Sequence, residues 1–222
     1  MNLGVAVARI VRRFRTAGLS GVIESVLDIT LGRWRTDAFD RANGVQTAGN
    51  KPVYLMRTNS PNVALGTRYA PIPESEFNQV FRQLPIAPAD LTFIDVGSGK
   101  GRALLMASKM GFRRVLGVEY DADMCEIARQ NVAKMKAPVE VVCSDIVDFT
   151  FPDEDTVVFL FNPFVGDVFA KFMMRIEQVA HRRLLIVSIH ARQSSYIDAS
   201  ARFERVEGLK LENETLVWRS RP

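Results

Sequence analysis

Thr92-Phe93-Ile94-Asp95-Val96-Gly97-Ser98-Gly99-Lys100-Gly101-Arg102 is the stretch on which the reading of this chain turns. Its first five residues form a short apolar run of the kind buried in a sheet. Three glycines then interrupt it, and a helical pattern follows over 102–110. In an open α/β sheet this junction of strand, turn and helix is where ligands bind, and glycines clear the side chains that would keep a ligand from the backbone. A bare G-x-G-x-G is also compatible with a tight turn that holds nothing.

Working outward, strand-like runs recur at 114–119, 139–144, 156–161 and 184–189, with helical patterns at 122–135 and 168–179 between them. A helix is expected over 74–84, ended by Pro85 and Pro88. Alternating strands and helices imply right-handed crossovers and a doubly wound sheet covered on both faces. Residues 203–206 and 216–218, separated by a polar stretch without a helix, read as a closing antiparallel hairpin. The expectation is an α/β fold with a seven-stranded, Rossmann-like, mostly parallel sheet and an antiparallel hairpin at its C-terminal end.

Upstream, Val5, Val7, Ile10, Val11, Phe14, Leu19, Val22, Ile23, Val26 and Leu27 suit one or two amphipathic helices within 1–30. Their apolar face is expected to dock on the main domain, although Arg9, Arg12, Arg13 and Arg15 also resemble the basic face of a membrane-surface helix. Residues 31–62 read as an irregular connector. The chain thus divides into an extension and connector at 1–62 and the main domain at 63–222.

Composition narrows the class. With 222 residues, 47% hydrophobic and 24% charged, the chain can build one substantial core, and a disordered protein is excluded. A net charge of +4, spread thinly, permits an acidic partner without demanding one. Nucleic acid is therefore permitted but not indicated. No run of about 20 uncharged apolar residues is present to span a membrane, and the charge order of the first residues is wrong for a secretory leader. Cys125 and Cys143 lack the spacing of a metal site or disulfide framework, which suits a reducing cytoplasm. His181 and His190 are too few and too isolated for a metal cluster, so no metal is expected. His190, at a strand end, is either a base facing the cleft or simply hydrogen-bonded.

The residues around the glycine turn select a ligand. Asp95 lies two residues before the first glycine, where a carboxylate would repel the pyrophosphate of a dinucleotide but favour the ammonium of S-adenosylmethionine (SAM). The glycine spacing also departs from G-x-G-x-x-G, and both points disfavour an NAD-dependent oxidoreductase. Glu119 ends the second strand and is placed to accept from both ribose hydroxyls of an adenosine ligand. Tyr120 lies against the adenine or is an ordinary strand-end residue. Asp145 ends the third strand and is suited to accept from the adenine amino group while Ile146 packs on the ring. Three acids at three successive strand ends make a bare turn a poor explanation.

The fourth strand runs into Asn162-Pro163-Phe164. Methyl transfer from a sulfonium is an in-line displacement, so an amine acceptor must arrive neutral with its lone pair aimed at the methyl group. Asn162 Oδ1 and the Pro163 carbonyl are candidates to hold its hydrogens, and Phe164 to pack on the acceptor or the sulfonium. Asn-Pro is equally a common turn-maker. No contact to the cofactor is expected to depend on protonation.

Phe93-Ile94-Asp95-Val96-Gly97-Ser98-Gly99-Lys100-Gly101-Arg102 resembles the first motif of the class I SAM-dependent methyltransferases. Gly117-Val118-Glu119-Tyr120 resembles the second, Ser144-Asp145-Ile146 the third and Phe161-Asn162-Pro163-Phe164 the fourth. The resemblance implies cofactor contacts from Asp95, Gly97, Ser98, Gly99, Gly101, Arg102, Glu119, Tyr120, Asp145 and Ile146. Tyr69-Ala70-Pro71-Ile72-Pro73 is similar to the segment that covers the methionine end of SAM in DOT1-like and related protein-lysine methyltransferases, which adds Tyr69. The fourth motif lacks one proline of the pattern typical of enzymes acting on planar amides, so the acceptor stays open. The implied activity is methyl transfer to an amine or hydroxyl on a protein or small molecule. An alternative of another class is a basic module for nucleic acid or membrane surfaces.

Overall fold

Each central strand carries apolar residues on both pleat faces, so it has to be covered twice. The computed structural model, which describes residues 37–221, shows how this is done. The strands are β1 (Thr92–Val96), β2 (Arg114–Glu119), β3 (Val139–Cys143), β4 (Thr156–Phe161), β5 (Leu184–Ile189), β6 (Phe203–Arg205) and β7 (Leu216–Ser220). They form one sheet in the order β3-β2-β1-β4-β5-β7-β6. The pairs among β1 to β5 are parallel, while β7 runs antiparallel to both β5 and β6. The mostly parallel doubly wound sheet and its antiparallel end are as the sequence implies. β7 extends two residues beyond the expected strand.

The helices are α1 (Ala38–Asn43), α2 (Glu74–Phe81), α3 (Arg102–Lys109), α4 (Ala122–Met135), α5 (Asp167–Glu177) and α6 (Ser194–Asp198). One face of the sheet presents Phe93, Val115, Val157, Phe159 and Val187 to α2, α3 and Phe39 of α1. The other presents Ile94, Val96, Leu116, Val158, Leu160 and Trp218 to α5 and Ile197 of α6. Phe77, Phe81, Phe93, Phe112 and Phe159 form one ring cluster, with centroids 4.4 to 6.2 Å apart. Burying each such side chain is worth about 1.5–3 kcal/mol, so the cluster fixes α2 firmly beneath β1 and β4.

The stretch read as an irregular connector contains α1 and a 3-10 turn at Val53–Leu55. α1 has fewer than two turns and its buried face is little more than Phe39, so it offers no periodicity to detect. Its ends carry ordinary signals: Asp37 accepts from Asp40 N at 3.0 Å, and Gly44 closes it at φ 68°. The five-residue α6 escapes detection for the same reason. The expected amphipathic helices at 1–30 lie outside the described residues.

The strand order locates the cleft. From β1 the chain builds outward through β2 and β3, then returns to place β4 on the other side of β1. The carboxyl ends of β1 and β4 are therefore the point where the winding reverses and a crevice opens. Residues 51–72 pass over it as a strap. Lys51 and Tyr69 pair their backbones, and Gly66 forms an antiparallel bridge to Phe164. Among the described residues no helix is long and apolar enough to cross a membrane.

Candidate active site

The glycine turn is held against β2 by two donations to Val118 O, from Gly97 N at 2.8 Å and Ser98 N at 3.1 Å. Gly97 and Gly99 have φ of 78° and 54°. A Cβ on Gly97 would come within 2.6 Å of Pro163 Cβ, and one on Gly99 within 2.2 Å of the Tyr69 ring. Both positions need glycine for conformation and for space. Gly101 stands at the start of α3, and Ser98 is buried with its Oγ lacking a hydrogen-bond partner among the described residues.

Asp95 lines the cleft, is only 4% exposed, and has no hydrogen bond or ion pair among the described residues. Burial first, and then the Glu119 charge, push its carboxyl up to about 8. A buried carboxylate with no donor is unfavourable until a proton or a cation joins it. The ammonium of SAM is such a cation, and the turn beside Asp95 is the cradle a Cβ would fill, so the residues present fit this cofactor.

Glu119 is also buried, and burial pushes it up to about 7 against the hydrogen bonds donated by Asp121 N and Gly99 N. Those bonds measure 2.8 Å each, one to each carboxyl oxygen. A carboxylate has about four acceptor positions, so two remain, the number a pair of ribose hydroxyls requires. Burial thus sets both acids against the expectation of protonation-independent cofactor contacts, which the pH dependence of binding would test.

The cleft has two chambers that share Gly97, Tyr120 and Pro163 as a common wall. The larger, about 570 Å³, is bordered by Tyr69, Asp95, Glu119 and Phe161. The smaller, about 380 Å³, is bordered by Asp145, Ile146 and Phe164. Tyr120 lies under the strap, with its hydroxyl donating to Met56 Sδ. The Tyr69 ring covers Gly99 and its hydroxyl donates to Thr47 O at 2.5 Å. Burial raises the pKa of that phenol.

Two expected roles are revised by geometry, and a third is narrowed. Arg102 borders the larger chamber, but its guanidinium is committed elsewhere: Nη2 reaches Asp37 at 2.6 Å and Asp40 at 3.3 Å, and Nε donates to Thr47 Oγ1 at 2.6 Å. It is a clamp on the N-terminal segment. The Pro163 carbonyl accepts from Thr67 N at 3.0 Å, whereas the single hydroxyl hydrogen of Thr67 goes to the Asn162 carbonyl at 2.5 Å and leaves Pro163 O, 3.3 Å from that hydroxyl, one open lone pair. It keeps one position for a hydrogen of an acceptor amine. Phe164, 7% exposed, packs on Phe169 and Phe172 in the core and borders the smaller chamber. Its ring lines the chamber of Asp145 and Ile146 and not that of Asp95 and Phe161.

Asn162 follows β4 in the left-handed region at φ 46°, a conformation that asparagine tolerates, and its side chain makes no hydrogen bond among the described residues. His190 lies close by, its ring centroid 5.5 Å from that of Phe161. His181, beyond the other end of β5, pairs with Asp153. Among the described residues no three His, Cys, Asp or Glu side chains gather as a metal site. Thr67, Met56, Ser60 and Asn62 had no marker in the sequence; they reach the cleft only because the strap crosses it.

A parallel sheet whose winding reverses beside a glycine turn, with acids at the ends of β1, β2 and β3, defines a nucleotide-binding α/β domain of the methyltransferase type. Residues 93–182 match the family described as "Methyltransferase domain". Residues 93–182 thus carry a methyltransferase domain, and the residues that line the cleft fit SAM as its cofactor. Among proteins similar in sequence is the ribosomal protein L11 methyltransferase of Thermotoga maritima, 30% identical over 128 residues, which are 58% of this chain and 46% of that protein. The chain spans about half the length of the curated relatives it matches. Among solved structures, a SAM-dependent methyltransferase of Aquifex aeolicus superposes with a TM-score of 0.52 at 17% identity, covering 65% of this chain and 88% of its own. A protein of Pyrococcus horikoshii does so with a TM-score of 0.55 at 14% identity, covering 67% and 88%.

Proposed function

We propose that this protein transfers the methyl group of SAM to an amine or hydroxyl acceptor on a protein or small molecule. The observation that carries the reading is Asp95, a buried, donorless carboxylate at the floor of a glycine-lined cleft. A protein is the favoured acceptor, because the Thermotoga maritima relative is named for methylation of a ribosomal protein.

Bound SAM supplies an electrophilic methyl group on a sulfonium. In the proposed roles, Asp95 binds the ammonium, Glu119 the ribose hydroxyls, and Asp145 with Ile146 the adenine. Gly97 and Gly99 let the cofactor approach the backbone, and Tyr69 covers its methionine end. The strap and the ring of Phe161 exclude water from the methyl group, which keeps the acceptor's lone pair unsolvated for in-line attack. Asn162 Oδ1 is free to accept a hydrogen from that nucleophile and orient it. The acceptor's lone pair forms the new C–N or C–O bond as the S–C bond breaks, and the acceptor's proton leaves to solvent or to His190.

The test is incubation of the protein with methyl-labelled SAM in a cell extract, followed by sorting of the label into protein, nucleic acid, lipid and small-molecule fractions. Label in protein or small molecules is expected. Absence of both labelling and calorimetric SAM binding would remove the proposal.

A further inference from the structure

Asp145 is built more elaborately than an adenine-facing acid requires. Ser60 Oγ and Asn62 Nδ2, both from the strap, donate to its Oδ2, the latter at 2.9 Å. Val147 N donates to Oδ1 at 3.1 Å. The strap donors are themselves held, since Asn62 N donates to Ser60 Oγ at 3.0 Å and Ser60 N to Thr58 Oγ1 at 3.1 Å. Asn62 also borders the smaller chamber, whose other walls include Gly66, Tyr120, Ile146 and Val168.

A carboxylate only accepts hydrogen bonds, and has about four positions for them. Two are filled on Oδ2 and one on Oδ1, which leaves a single acceptor position. A half-buried acid beside apolar walls is prone to take up a proton and so become a donor. Here burial does raise the carboxyl, but the donations from Ser60, Asn62 and Val147, with the nearby Lys171 charge, outweigh it and keep the group below its ordinary value.

We propose that Ser60 and Asn62 are positioning residues that fix Asp145 as a one-acceptor reader, so that the chamber admits a purine bearing an amino group and rejects one bearing a carbonyl oxygen. This rests on the SAM reading above. An amino group offers the remaining acceptor position a hydrogen, whereas a carbonyl oxygen would face the carboxylate lone pairs directly. Specificity for the nucleobase then comes from the strap as much as from the strand end that carries the acid.

The test compares S-adenosylhomocysteine with S-inosylhomocysteine, in which a carbonyl oxygen replaces the amino group, by calorimetry on the full chain. The unaltered protein is expected to prefer the adenosyl ligand by about 10- to 100-fold, the range that one unsatisfied buried polar group produces. In Ser60→Ala/Asn62→Ala the preference is expected to collapse to within about threefold while adenosyl binding persists. Ser60→Thr, which keeps the hydroxyl, retains it. The single variant Asn62→Ala, expected to be intermediate, carries the test if the double variant fails to fold. An unchanged preference in the folded variants, or an equal loss of both ligands, overturns the positioning role. No binding of either ligand by the unaltered protein removes the SAM reading itself, a result distinct from the other two.

Discussion

The turn at 95–101 and the strap at 51–72 face each other across one cleft and are built on opposite principles. The turn is local: a strand end, three glycines and a helix start, tied to the neighbouring strand by Gly97 N, Ser98 N and Gly99 N. The strap has little regular structure. It is held by side chains that reach partners far along the chain, such as Lys51 to Asp121 at 2.5 Å, Asn62 to Asp145 and Thr67 to the Asn162 carbonyl. The difference teaches that the cofactor floor follows from a few consecutive residues, whereas its roof depends on contacts between residues far apart in the chain.

Arg102 joins the two, because it stands at the start of α3 and clamps the segment that leads into the strap. Arg102→Ala leaves Asp40 buried beside a lost cation, and removing one partner of a buried ion pair costs about 3–5 kcal/mol. Asp40 keeps the bonds from Thr47 N at 2.9 Å and Ala48 N at 2.8 Å, so a loss near the lower bound is expected in urea denaturation. Arg102→Lys should recover little of it, since one ammonium does not replace the fork that serves Asp37, Asp40 and Thr47. A near-silent Arg102→Ala would mean that the two regions are not coupled through this residue.

The turn alone is probed by Gly99→Val. Overpacking against Tyr69 and the left-handed backbone together cost about 3 kcal/mol, which predicts SAM binding weakened at least about 100-fold in calorimetry. The fold of the sheet should survive. Retained affinity would show that the turn does not shape the cofactor site.

Asp95 and Glu119 give the turn a pH signature. Their folded-state pKa values, about 8 and about 7, lie above the ordinary carboxylate range, so folding takes up protons between roughly pH 4 and 8. In the free protein this pair therefore costs stability as pH rises through that window. A cationic ligand favours the ionised pair, so SAM affinity should rise from pH 6 to pH 8.5 with proton release on binding. Calorimetry in buffers of different ionisation enthalpy measures that release. Asp95→Asn should weaken binding about tenfold and flatten the profile, the loss of a single ionic hydrogen bond being worth about 1.5 kcal/mol or more.

The strap's smallest expected effect is at Thr67. Thr67→Val removes the hydroxyl that donates to the Asn162 carbonyl at 2.5 Å, at a stability cost of about 1 kcal/mol. Because the bond holds Asn162 in its left-handed conformation, kcat should fall while KM for SAM stays near its original value. A change confined to KM would place Thr67 with the cofactor and not with the acceptor.

Most of the sheet was legible in advance, since β1, β2, β4 and β5 are short apolar runs bounded by breakers, and α4 has a helical period over fourteen residues. α1 and α6 were not legible because an element of one or two turns has too few buried positions to show a period. Among site residues, the acids stood out because each ends an apolar run. The motif resemblance points Arg102 to the cofactor, and nothing adjacent to it in sequence announces Asp37 and Asp40, more than sixty positions away.

By itself, then, the sequence determined the doubly wound sheet, the glycine turn with its chemistry, and the three strand-end acids, because each rests on residues adjacent along one strand or its following turn. Only the tertiary structure decided which of those groups are already occupied. It left Asp95 without a donor among the described residues, gave Asp145 to Ser60 and Asn62, tied the Asn162 carbonyl to the Thr67 hydroxyl, and turned Arg102 away to its clamp. The physical reason is that hydrogen-bond capacity is finite and is divided among partners brought together from distant parts of the chain.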